Sequence, residues 1–192
     1  TGYRLPAVSR WGQVAPAGLV RYRGANLGAE FKDTLFACHF NTNKVLHVQL
    51  VPSGATFTTE ESDFLSSTNI DFRPADILED ADGSLLLIDT GGWLSWGCPH
   101  SKTAKPEGKG AIYRIRRKGA PKVDDPRGLE IDWQNLEPID LANLLASDRP
   151  AVRDRARATL IDRGKSSVPV LTVLFRKSRD PNVRQRCLWT LS

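Results

Sequence analysis

The sequence predicts a mixed architecture: the C-terminal blades of a β-propeller followed by an α-helical, HEAT-like solenoid. Three observations predict it. Up to about residue 120, short β-like runs alternate with Gly, Pro, Asn and Asp. Beyond it, apolar residues recur at helical spacing. Each half also repeats internally. Pro16/Pro74 and Ala17/Ala75 are 58 residues apart, and Pro150/Pro181, Val152/Val183 and Thr159/Thr190 are 31 apart.

The strands are expected at 17–22, 34–39, 44–51, 74–78, 84–89 and 110–116, with another beginning at 55–57. Asp80-Ala81-Asp82-Gly83 reads as a hairpin turn, because Gly83 tolerates positive φ. A calcium loop is the weaker reading, since position 91 is Gly where the loop needs Glu. Each copy of the first repeat runs inner strand, hairpin, middle strand, outer strand. That is the grammar of a propeller blade, whose usual period is about 40–50 residues. The second copy carries an insertion over 91–109 before its outer strand. A sandwich of hairpins is the competing reading. The expected boundaries are a partial propeller over 1–118, a Pro/Gly-rich linker over 119–137 and helical repeats over 138–192.

In the helical half, Ser and Asp precede Pro150 and Pro181, so each helix starts with a cap and a first-turn proline whose missing N–H is harmless. Val152, Ala156 and Leu160 then share one face. Gly164 ends that helix, Ser166 or Ser167 starts the next, and an earlier helix is expected over 138–145. Helix pairs of roughly 30 residues stacked in one dimension are HEAT-like. Two blades do not close a ring, the chain starts at Thr1 with no Met, and it ends inside an apolar helical pattern. A piece of a larger protein is therefore expected.

Hydrophobic residues make up 40% and charged residues 26%, which argues against wholesale disorder. The net charge is +5. Its arginines mix with Asp at helical spacing and lack interleaved aromatics, so a solvated helix face is favoured over nucleic-acid binding. Three cysteines at wide spacing are no disulfide framework. No apolar run approaches the roughly 18 residues that would span a membrane.

No metal motif is complete: Cys98-Pro99-His100 stands without a partner CxxC or second His cluster. No nucleophile elbow or phosphate-binding glycine loop is present either. Arg73 opens an inner strand, where a guanidinium would grip carboxylates or phosphates bidentately; pairing with Asp71 or Asp76 is the equal alternative. The insertion beginning Trp93-Leu94-Ser95-Trp96 suits a pocket wall or a cover for apolar surface.

The run from Phe72-Arg73-Pro74-Ala75-Asp76-Ile77 through Asp82-Gly83-Ser84-Leu85-Leu86-Leu87-Ile88-Asp89 to Gly110-Ala111-Ile112-Tyr113-Arg114-Ile115 resembles the last blade of glucose/sorbosone dehydrogenase-like propellers. These are related to the soluble quinoprotein glucose dehydrogenases. The insertion with Cys98-Pro99-His100-Ser101 and Lys105-Pro106, followed by helical repeats, is similar to large bacterial membrane-bound dehydrogenase-like proteins. The resemblance implies a six-bladed fold, pyrroloquinoline quinone (PQQ) and calcium, a sugar or alcohol substrate, and a periplasmic or extracytoplasmic location. It implies cofactor contact by Arg73. Lys44 stands close to where the quinoproteins place a lysine, although Thr42-Asn43 occupy the nearest positions. Trp93 is the third candidate cofactor contact. The family's catalytic His and calcium ligands lie in earlier blades, outside this chain. The alternative expectation is a non-catalytic scaffold that binds a protein partner, in part through the helical repeats.

Overall fold

The computed structural model describes residues 7–92 and 108–192. It divides into two compact units, Thr1–Ala120 and Pro121–Ser192.

The described residues of the first unit hold seven strands: β1 (Pro16–Arg21), β2 (Leu35–His39), β3 (Lys44–Ser53), β4 (Thr56–Ser66), β5 (Pro74–Glu79), β6 (Leu85–Asp89) and β7 (Ala111–Ile115). They form two antiparallel sheets, ordered β1-β2-β3-β4 and β5-β6-β7. Between the sheets lies one core, built from Tyr22, Phe36, Cys38, Val45, Phe72, Ile77, Leu85 and Leu87. Alternation along β2 and β3 explains it. Phe36, Cys38 and Val45 face this core, while Ala37, Leu46 and Val48 form a second cluster on the opposite face. Trp11, from the segment ahead of β1, packs on that second cluster.

β5 packs against β1 and β2, and Gly18 permits the approach. A Cβ at Gly18 would stand 2.5 Å from the Asp76 Cα and 2.8 Å from the Ile77 nitrogen. Tyr22 is fully buried; its hydroxyl donates to the Gly83 carbonyl (2.7 Å) and accepts from the Leu27 N–H (3.0 Å). The β5–β6 hairpin turns at Asp80–Gly83, as its sequence predicts. The Gly83 N–H donates to the Asp80 carbonyl at 2.9 Å, and Gly83 has φ 78°.

The second unit holds α1 (Pro138–Leu144), α2 (Pro150–Asp162), α3 (Val168–Lys177) and α4 (Pro181–Leu191). Each carries Pro in its first turn. Only α4 has a side-chain cap, Asp180 accepting from the Asn182 N–H at 2.8 Å. Trp133, Leu141, Leu145, Val152, Ala156, Leu160, Leu171, Val183 and Cys187 make the core. Most of the stretch expected as a linker belongs to this unit: Trp133 is in its core, and Ile131 and Leu136 pack on it.

Two expectations about fold class are corrected. The first unit is not the end of a propeller. Its described residues make two open sheets of four and three strands that share one core, with no closed ring or barrel. The blade-like grammar records two antiparallel meanders, and a meander builds an open two-layer arrangement as readily as a blade. The second unit is not a HEAT solenoid. Its four helices gather on a single core instead of extending as an array. The spacing of 31 residues records something more local. α2 and α4 start alike, with first-turn prolines and Val152 and Val183 in matching buried positions.

Candidate functional site

Arg73 sits where the chain enters β5. Its backbone N–H donates to the Asp89 carboxylate at 2.8 Å, and its guanidinium donates to the Phe72 carbonyl at 3.3 Å. The guanidinium also lies 5.9 Å from the Phe40 ring centroid. Asn43, in the turn between β2 and β3, donates to the carbonyls of Phe72 and Asn69, so this turn and the entry to β5 are tied together. Lys44 begins β3 and donates to Asp63 of β4 at 2.6 Å. The two cations thus have different partners. Trp93 and the Cys98-Pro99-His100 stretch lie outside the described residues. Among the described residues, no group of three or more His, Cys, Asp and Glu could hold a metal ion.

The Asp80–Gly83 turn, weighed above against a calcium loop, carries its own cations. Arg114 reaches Asp80 and Arg116 reaches Asp82, both at 2.6 Å. Burial pushes the Asp82 carboxyl up, but hydrogen bonds from Ser84 and the two guanidinium charges outweigh it and hold the pKa below the usual carboxylate range. Cys38 is fully buried between the sheets; desolvation, reinforced by Asp76, pushes its thiol up to about 12. It is therefore a packing residue and no nucleophile at neutral pH.

Two features of the first sheet left little trace in the sequence. The first is a clasp on its outer face. The ring of His39 is 4.8 Å from that of Trp11, and its Nε2 is buried with no hydrogen-bond partner. Burial lowers its pKa, against the opposing pull of Glu61 and Asp63. Asn41 holds the same N-terminal segment, accepting from the Ala15 N–H at 2.7 Å and donating to the Gln13 carbonyl. Ser9 donates to Glu61. An isolated aromatic ahead of a strand, Trp11, was the available signal.

The second feature is β4. It is eleven residues long; Phe64 and Leu65 pack against the core, and most of Thr56–Asp63 is exposed. β2 reaches only as far as Val48 of β3, so Gln49–Ser53 pairs with β4 alone. The result is a two-stranded ribbon overhanging the sheet. Phe57 and Leu50 are exposed on it, and Glu60, Glu61 and Asp63 follow along β4. With the order β1-β2-β3-β4, the outer edge of β4 has no strand beside it among the described residues. The run Thr56–Glu61 lacks apolar alternation, which hid the strand; an acidic, Pro-free stretch behind a hairpin was the clue.

In the helical unit several arginines are spent on structure. Arg163 donates to the Leu136 carbonyl (2.6 Å), Arg186 to the Leu145 carbonyl (2.7 Å) and Arg149 to the Asp125 carbonyl (2.7 Å). Arg155 and Arg184 lie over Trp133 and Phe175. Among the described residues, no helix is long and apolar enough to cross a membrane.

Residues 8–119 match a family described as a domain of unknown function, DUF7133. Neither the curated proteins nor the solved structures give a match.

Proposed function

We propose, for a chain that belongs to the DUF7133 family, that it serves as a non-catalytic module binding another protein. The observation that carries this reading is the overhanging β3–β4 ribbon, whose long outer edge has no strand beside it among the described residues. Backbone donors and acceptors along such an edge are ready to pair with another chain. The arrangement of the other candidates adds support. Arg73 and Lys44 are engaged separately, Cys38 is held as a buried thiol, and the helical arginines bond to carbonyls and stack on rings. The last point also speaks for a protein partner over nucleic acid, since a phosphate backbone needs cations free to meet it.

The test uses the full-length protein in its own cells, with a photoreactive amino acid at Phe57 in one variant and at Trp189, exposed on α4, in another. A discrete protein adduct at either position is expected, and no adduct at both overturns the reading. The dehydrogenase expectation is met directly by adding PQQ and calcium to the same protein and following dye-linked oxidation of sugars and alcohols. Turnover there would replace the module reading with an enzyme.

A further inference from the structure

We infer that the partner is an extended, basic segment of another protein that adds as a fifth strand along β4. The inference deepens the module reading and rests on it.

Pairing between β3 and β4 is continuous from Leu46↔Asp63 to Ser53↔Thr56, with no bulge in that stretch. An edge is usually blunted by Pro, Lys, a bulge or short length. β4 has none of these over Thr56–Asp63. What it has is carboxylate. Glu60, Glu61 and Asp63 follow one another along it; Lys44 pairs with Asp63, and Glu61 accepts from the hydroxyls of Ser9 and Thr59.

This charge selects the occupant. A second copy pairing antiparallel over the full length of β4 would centre on Glu61, setting Glu61 against Glu61 within a run of like charge. A basic strand meets the opposite situation. The pleat then specifies its pattern. Residues opposed in register share a face, so Phe57, Thr59, Glu61 and Asp63 lie on the side of Leu46, Val48 and Leu50, and Thr56, Thr58, Glu60 and Ser62 on the other. A segment with an apolar residue beside Phe57 and Lys or Arg beside Glu60, Glu61 and Asp63 matches both faces. Backbone bonds would supply affinity, and this side-chain pattern the specificity.

The experiment titrates the whole chain with a synthetic peptide, the length of β4, that sets Val beside Phe57 and Lys beside Glu60, Glu61 and Asp63. Two controls accompany it: Glu in place of Lys, and N-methylation of the amides along one edge. Hydrogen exchange of the protein is read alongside. Binding of the Lys peptide with new protection of alternate amides in Thr56–Ser62 is expected, together with loss of binding for both controls. The exposed pair Glu60→Lys/Glu61→Lys should weaken binding about tenfold or more, with an unchanged far-ultraviolet circular dichroism spectrum. Equal binding by the N-methylated peptide would overturn strand addition, as would protection confined to other elements. Such a result leaves the module reading standing if a photo-adduct forms at Trp189, whereas quinone-dependent turnover removes that reading itself.

Discussion

A neutral imidazole is what the fold holds at position 39. The ring is almost fully buried against Trp11, and burial lowers its affinity for a proton. His47, packed among Phe31 and Phe36 with its Nε2 2.9 Å from the Thr34 hydroxyl, is lowered for the same reason. Below about pH 6.5 the unfolded chain takes up protons at both positions that the folded chain resists. Stability therefore falls as pH drops through that value, until each folded pKa is reached. The urea midpoint should decline between neutral pH and the mildly acidic range. His39→Gln should make that decline shallower, and His39→Gln/His47→Gln shallower still. Parallel declines in all three proteins would show that the histidines do not carry it.

At the scale of elements, β1 and β5 approach each other closely at Gly18. Gly18 has the backbone of Asp76 and Ile77 where its side chain would be, and backbone cannot swing aside as a long side chain can. Gly18→Ala should push the two strands apart and destabilise the first unit by about 1–3 kcal/mol, the usual scale for overpacking. Chemical denaturation checks this, and an unchanged midpoint would contradict it. Most elements were legible beforehand. The six strands with apolar residues, the Asp80–Gly83 turn and the helix starts at Pro138, Pro150 and Pro181 all follow from local pattern. β4 is legible only at its first residues, because Thr56–Asp63, largely exposed on both faces, leaves no hydrophobic period to read. How the elements assemble was the harder question. Internal repeats at 58 and 31 residues report similar local units, but not whether those units stack, ring or close on one core. That choice depends on pairs such as Gly18 with Asp76, or Trp133 with the helices, which are distant in sequence and carry no periodic signal. The candidate site was less legible than the fold. Arg73 and Lys44 were conspicuous as cations, yet what they do is decided by Phe40 and Asp63, residues that sequence alone does not bring near.

For the whole molecule, the net charge of +5 gives a misleading account of its surface. The arginines that raise it are largely tied to carbonyls, carboxylates and rings, while the longest strand edge is acidic. If those carboxylates keep copies of the chain apart, removing them should bring copies together. Glu60→Thr/Glu61→Thr is expected to self-associate with rising concentration, seen as a growing sedimentation coefficient. Sedimentation identical to that of the parent chain at every concentration would show that the charge has no such role.

The overhang of β3 and β4 also has a mechanical side. Five residues of each strand, an arm of about 15 Å, stand beyond the support of β2. A pull at the tip near Gly54 would open the arm like a zipper, one backbone bond after another, at low force. A pull on a strand lying alongside β4 would load many bonds at once, in shear. A partner bound along the edge would therefore resist tension best along the axis of the arm.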